Sequence, residues 1–269
     1  AAPVLIQGKC LLRAMTEQLK DRQLEEWDVP LPLELKAVWD DWCGSLTELQ
    51  HIKLTRPYAT SLEKASQVEL HTFCDASVKG IGAVSYLKTT QPNGQIEVSF
   101  VFGKARLAPA HATTIPRLEL CAAVLAVEIT DMILNERVVQ PDRILYHSDS
   151  RVVLGYIANN TRRFYVYVAN RVERIRKSSS PSEWCYVSTQ RNPADLATRS
   201  IKAKDLESSA WLCGPQFLHQ QNQPETEEPQ PNSTVIQPDD PEIRPELKTL
   251  AAKVRKDTHL ETHRFSRFS

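Results

Sequence analysis

The sequence lacks several things that would send it to particular classes. No apolar run is long enough to cross a bilayer and there is no secretory h-region, so an intracellular protein is expected. Neither sign of charge is in excess: 33 basic and 33 acidic residues give a net charge of +0, so a grip on a polyanion has to come from local positive potential. The six cysteines, Cys10, Cys43, Cys74, Cys121, Cys185 and Cys213, form no Cys-x-x-Cys. That argues against zinc and against a secreted disulfide scaffold, and most are expected as small buried apolar residues. His259 and His263 are spaced to share a helix face, but no cysteine follows to complete a metal site. Asn232-Ser233-Thr234 matches a glycosylation acceptor only by chance if no signal peptide directs it outward. No Tyr-x-Asp-Asp occurs, so the chain is not expected to polymerise DNA, and no integrase zinc motif or catalytic core is visible. Asp-Thr-Gly and Asp-Ser-Gly are also missing, which removes the tight turn that an aspartic peptidase dyad needs.

Four acids in distinctive local frames are what the chain does have: Asp75 in Phe-Cys-Asp-Ala-Ser, Glu119 in Pro-Arg-Leu-Glu-Leu, Asp149 in His-Ser-Asp-Ser and Asp195 in Asn-Pro-Ala-Asp-Leu-Ala. Two divalent cations about 3.5–4 Å apart need several carboxylates converging from different elements, because hard Mg²⁺ prefers oxygen ligands and its charge must be balanced locally. These acids therefore read together as a two-metal nuclease site.

Periodicity places them. Val68 to Phe73 is rich in strand formers and puts Asp75 near the end of a first strand. Gly80 to Leu87 gives a second, and after the Pro92-Asn93-Gly94 turn the alternation of Ile96 to Phe102 gives a third, making an antiparallel meander. From Thr114 the spacing turns helical through Leu118, Cys121, Ala122, Leu125, Ile129 and Met132, with Pro116 suited to a first turn. Glu119 follows Leu118 directly, so it points away from the centre of that stripe. Arg143 to His147 reads as a buried strand delivering Asp149 at its C-terminal end, a favoured place for ligands in α/β sheets. Val152 to Ile157 predicts a short helix, and Phe164, Val168, Val172 and Ile175 mark another. Trp184 to Val187 closes the sheet, and Pro193 opens a last helix with Asp195 in its first turn.

This order, β-β-β-α-β-α-α-β-α with acids on the first strand, first helix, fourth strand and last helix, resembles the ribonuclease H fold. The wording is narrower still. Phe-Cys-Asp-Ala-Ser, Thr-Ile-Pro-Arg-Leu-Glu-Leu-Cys-Ala-Ala, Ser-Asp-Ser-Arg-Val-Val-Leu, Val-Ala-Asn-Arg-Val and Asn-Pro-Ala-Asp-Leu-Ala-Thr-Arg resemble the Pol polyprotein of Pao/BEL-type LTR retrotransposons from about Ala1 to Leu218. Trp27-Asp28-Val29-Pro30 is similar to the segment joining reverse transcriptase to ribonuclease H in that family, and Ser209 to Pro215 to the segment leading toward integrase. The resemblance implies an α/β, mixed five-stranded ribonuclease H-like sheet with flanking helices. It implies hydrolysis of the RNA strand of RNA/DNA hybrids with two Mg²⁺ ions, with Mn²⁺ as the substitute, and Asp75, Glu119, Asp149 and Asp195 as both catalytic residues and ligands. Asp75 would bridge the ions, Glu119 and Asp149 would serve the leaving-oxygen side, and Asp195 the side of the attacking water. The implied partners are the hybrid and the reverse transcriptase and integrase portions of the parent polyprotein, with no membrane. The implied location is the cytoplasm, in retroelement particles, or the nucleus. One departure is visible: Val187 to Arg191 stands where many ribonucleases H carry a histidine before the last acid. Loss of polymerase and integrase keeps a second reading open, a truncated and catalytically silent remnant that binds nucleic acid or has a structural role.

The organisation follows. Residues 1–64 are expected as a helical connection segment with a stripe through Leu35, Val38, Trp39, Trp42, Leu46 and Leu49, Trp39 and Trp42 serving as core and Asp40 and Asp41 facing solvent. Residues 65–218 form the ribonuclease H-like domain and its extension. Residues 219–245, rich in Pro, Glu and Gln, read as a disordered linker, and 246–269 as a charged helical tail. Arg162, Arg163, Arg171 and Arg174, with Arg176 and Lys177 beside them, are the best candidates for binding nucleic-acid phosphates, and Tyr165 for stacking; a solvated helix face and a core tyrosine are the alternatives.

Overall fold

The computed structural model describes residues 1–21, 30, 32–54, 62–109, 114–136, 140–220, 236 and 239–245. The expected tail 246–269 with His259 and His263, the Asn232-Ser233-Thr234 triplet and most of the expected linker lie outside the described residues. Two helices, α1 (Ala2–Asp21) and α2 (Leu33–Ser45), precede the sheet. Then come β1 (Gln67–Ala76), β2 (Gly80–Thr90) and β3 (Ile96–Leu107), α3 (Ile115–Asn135), β4 (Arg143–Ser148), α4 (Arg151–Ala158) and α5 (Val166–Ser178). The short elements β5 (Trp184–Tyr186), α6 (Asp195–Arg199) and α7 (Ala210–Cys213) follow.

The five strands lie in the order β3-β2-β1-β4-β5. The pairs β1–β2 and β2–β3 are antiparallel, and β1–β4 and β4–β5 are parallel, so the sheet is mixed. From Val68 to Asp75 every residue of β1 is buried, as a central strand covered on both faces must be. Its alternation sorts two cores. Val68, Leu70 and Cys74 join α3, α4 and α5 on one face, whereas Phe73 joins α1, α6 and the segment from Ala203 to Leu218 on the other. Thr72, between the first set, pairs its hydroxyl with Ser85 of β2 (2.8 Å) and Thr130 of α3 (3.0 Å), so these buried polar groups satisfy one another.

The structure departs from the sequence expectations in several places. The α3 stripe holds for Leu118, Ala122, Leu125 and Ile129, but Met132 is 40% exposed because the buried face continues through Ile133, four residues after Ile129. Phe164 is buried ahead of α5 rather than within it. Trp39 and Trp42 are half-buried, not core: α2 has no buried residue and rests on α1, where Trp42 donates to the Val4 carbonyl (3.1 Å) over Gly8. Only Cys74 among the cysteines is buried; Cys10, Cys121 and Cys185 are half-buried, Cys43 and Cys213 are exposed, and all six are free thiols. Asp40 and Asp41 do face solvent. In the residues expected to precede the domain, α1 sends Val4 and Ile6, each 1% exposed, into the second core, and Lys9 and Arg13 donate to the Ala105 and Ala108 carbonyls.

Candidate active site

The four acids reach one end of the sheet from four elements. Asp75 is the penultimate residue of β1, and parallel pairing brings Cys74 level with Ser148 at the end of β4, so Asp149 leaves the sheet beside Asp75. Antiparallel pairing places Asp75 opposite Gly82. A Cβ at Gly82 would lie 2.6 Å from the Ala197 Cβ; its absence lets α6 lie directly against β2, and Asp195 is the first residue of that helix. Glu119 rides on the second turn of α3, whose start is held near β4 through Ser150. That serine is the N-cap of α4: its Oγ accepts from the Val153 N–H (3.2 Å) while its hydroxyl donates to Glu119 Oε2 (2.5 Å).

Each acid has its own protein donor. Thr198 Oγ1 donates to Asp75 Oδ2 (2.6 Å), Thr189 Oγ1 to Asp149 Oδ2 (2.7 Å), and Arg199 Nε pairs with Asp195 Oδ1 (2.7 Å) one helical turn on. Asn192, buried, donates from Nδ2 to the Cys74 carbonyl (3.0 Å) and more weakly to Asp149 Oδ1 (3.4 Å), tying the loop before α6 to β1. Burial pushes the Asp75 carboxyl up to about 7; the Thr198 hydrogen bond opposes this, and the charges of Asp149 and Asp195 add to it. Glu119 and Asp195 are also raised, each chiefly by burial and then by Asp149, with Ser150 and Arg199 respectively opposing. The end of the sheet thus holds more negative charge than its surroundings balance. In this arrangement, among the described residues, no group of three or more His, Cys, Asp or Glu side chains converges tightly enough to grip a metal ion. A cleft of about 610 Å³ opens beside Asp195, lined among others by Thr189, Arg191, Asn192 and Phe217, with the Arg191 guanidinium 4.5 Å from the Phe217 ring centre.

Sequence reading named the acids but not the donors Thr198, Arg199, Thr189 and Asn192. A signal existed for some of them: Thr198 and Arg199 stand three and four residues after Asp195, where helix neighbours meet, and Ser150 stands at an N-cap before an apolar run. Of the expected phosphate contacts, Arg162 and Arg163 line a second concavity with Arg176 and Lys177. The structure does not bring Arg171 or Arg174 there. Arg171 stacks on Tyr167 (3.5 Å to the ring centre) and donates to the Tyr167 carbonyl, and Arg174 is paired with Asp131 (2.7 Å). Tyr165 is 45% exposed, between the lining residues Phe164 and Val166.

Residues 1–150 match the family described as the Pao retrotransposon-like RNaseH-like domain. That span includes Asp75, Glu119 and Asp149, and Asp195 lies beyond it. Similar solved structures include the N-terminal RNase H domain of a Mycobacterium tuberculosis protein, at 10% identity and a TM-score of 0.34, covering 52% of this chain and 95% of that one. RNase H1 from Halobacterium salinarum is 16% identical with a TM-score of 0.30, covering 52% and 99%. LC11-RNase H1 in complex with an RNA/DNA hybrid is 16% identical with a TM-score of 0.32, again covering 52% and 99%. No curated protein matches the chain.

Proposed function

This chain belongs to the Pao retrotransposon-like RNaseH-like domain family, and on that premise we propose that it hydrolyses the RNA strand of RNA/DNA hybrids. The observation that carries the reading is the delivery of Asp75, Glu119, Asp149 and Asp195 to one end of the sheet by four separate elements, with protonation of Asp75, Glu119 and Asp195 favoured by burial and by the charge of Asp149. Uncompensated carboxylate charge attracts divalent cations, and an all-oxygen donor set suits Mg²⁺ or Mn²⁺, but the acids would have to close in from the spread arrangement described above to hold them. Two such ions held by these acids would supply Lewis-acid stabilisation of the phosphoryl oxygens and a water acidic enough to attack.

The chain's own groups prepare that state. Arg199 offsets part of the charge on Asp195 and would yield it to a cation. Thr189 and Asn192 fix the Asp149 carboxylate against β1, Ser150 fixes Glu119 against α4, and Thr198 holds Asp75 at the centre. The cleft beside Asp195 gives a substrate strand a place to lie. Thr189 occupies the loop in which the resemblance expects a histidine, so it orients an acid where an imidazole would move a proton. We propose further that residues 1–64 derive from a reverse-transcriptase connection, that the partner portions are reverse transcriptase and integrase, and that the chain works in the cytoplasm, in particles or in the nucleus.

One observation favours a second reading, a silent remnant: every one of the four acids is already engaged by an internal donor. A cleavage assay separates the two. Purified protein with an end-labelled hybrid should cut the RNA strand in Mg²⁺ or Mn²⁺ and leave it whole in chelator, with Ca²⁺ supporting binding without turnover. Intact RNA in both active metals, from folded protein, would give the remnant reading the chain.

A further inference from the structure

The stretch from Asp239 to Pro245 lies inside a segment whose composition reads as linker, yet it is fastened to the domain at four points. Both carboxylate oxygens of Asp240 accept from the Tyr156 hydroxyl (3.0 and 2.9 Å). Glu242, 4% exposed, receives Arg117 in a two-pronged pair, Nε to Oε1 at 2.6 Å and Nη2 to Oε2 at 3.0 Å. Ile243 bridges Phe164 as an isolated antiparallel pair, and the backbone closes the connection through Tyr165 N–H to the Glu242 carbonyl (3.0 Å) and Arg244 N–H to the Arg163 carbonyl (2.8 Å).

This docking separates the charges of the segment. Asp240 and Glu242 are spent inward, on Tyr156 and Arg117, whereas Arg244 is exposed on the outer side. There it joins Arg162, Arg163, Arg176 and Lys177 around an open concavity of about 760 Å³ in which, among the described residues, Glu173 is the one acidic lining residue. Among the described residues, five cations against one anion is a local excess that a chain of net charge +0 has gathered in one place. Arg176 is pinned by donating to the Ile157 and Asn159 carbonyls, so its charge is held in position rather than trailing in solvent. The Arg244 guanidinium lies 5.7 Å from the ring centre of Tyr165, which is 45% exposed. A cluster of cations, with Arg176 held in place and an exposed aromatic ring beside Arg244, suits a phosphodiester backbone whose bases can stack, more than it suits a simple anion.

We propose that residues 239–245 are a strap that completes a nucleic-acid groove at the α4–α5 corner, Arg244 adding a phosphate contact in cis and Tyr165 a stacking surface. The inference rests on the nucleic-acid part of the reading above and not on cleavage.

Fluorescence anisotropy of the full chain with a short labelled RNA/DNA hybrid and with the matching single strand, in chelator so that nothing is cut, tests it. Arg244→Ala should weaken binding about three- to tenfold and lower the slope of log K against log salt by about one. Glu242→Gln, which frees the strap without removing a groove cation, should weaken binding in the same direction. Lys104→Ala, an exposed cation on β3, should leave it unchanged. Wild-type affinity in both Arg244→Ala and Glu242→Gln overturns the strap, as does a wild-type chain that binds neither probe. Cleavage measured on the same preparations keeps the two ideas apart. Groove binding without cleavage sinks only the enzyme reading, and cleavage with indifferent strap variants sinks only the strap.

Discussion

At the residue scale the site is a balance between burial and charge, and Asp75 is its most sensitive member. Its carboxyl titrates near 7 in the fold against 3.8 as a free side chain, so the folded state holds the proton more tightly than the unfolded one. The stability this gives is full below the unfolded value and is lost as pH rises from there through 7. Asp75→Asn removes the loss, and the metal-free protein should gain about 2 kcal/mol at pH 7.5 by chemical denaturation while losing activity. A less stable Asn variant would show that Asp75 is not strained by its neighbours. The buried pair His71 and His147, 3.0 Å apart between Nδ1 and Nε2, has the opposite sign. Burial lowers both imidazoles, His147 well below its ordinary value with His71 adding to the effect, whereas Glu69 at 3.8 Å partly restores His71. Their contribution is full above about 6.5 and is lost as pH falls below it, so the melting temperature should drop on acidification from pH 6.5 to 5. His71→Gln with His147→Phe should flatten that limb of a thermal-melt pH series.

At the element scale the position of α6 decides whether the four acids form one site. Gly82→Val should push α6 off β2, because even a Cβ there meets Ala197 at 2.6 Å; we expect a loss of 1–3 kcal/mol or so and a fall in activity larger than the stability loss explains. Unchanged cleavage at a temperature where the variant is fully folded would contradict this placement. Ser200 ends α6 at φ 65°, a region that favours glycine, so Ser200→Gly should raise stability by roughly 0.5–1 kcal/mol in the same unfolding assay. The strands and α3 to α5 were legible from local pattern: β1 is rich in strand formers from Val68 to Phe73 and α3 repeats its apolar residues at helical spacing. The five-residue α6 is too short for a period, and its position depends on a glycine in another strand. The donors Thr189 and Asn192 were illegible for a similar reason, since their partner Asp149 lies 40 and 43 residues away; Thr198 shows as a helix neighbour of Asp195, but not as the donor to Asp75, 123 residues away.

At the scale of the whole molecule, two pieces outside the strand–helix pattern belong to the body, α1 and the strap. Val4 and Ile6 are each worth about 1.5–3 kcal/mol of burial, and without α1 the faces of Ala105 and Ala197 would be bare. A piece limited to residues 65–218 contains all four acids, but it should melt well below the full chain and bind a hydrophobic dye; equal melting temperatures would make α1 dispensable. The amphipathic α1 could be read as a helix, but not where its apolar face goes, because nothing local distinguishes a partner sheet from a partner protein. The central claim is that four carboxylates from four elements act as one centre. Single-turnover cleavage of hybrid RNA by Asp75→Asn, Glu119→Gln, Asp149→Asn and Asp195→Asn, each checked for folding beside the exposed control Asp40→Asn, tests it most directly. The expected result is a loss of at least about a hundredfold in every one of the four and none in the control, in line with the several kcal/mol that a metal-held transition state commands; wild-type rates in any of the four would contradict it.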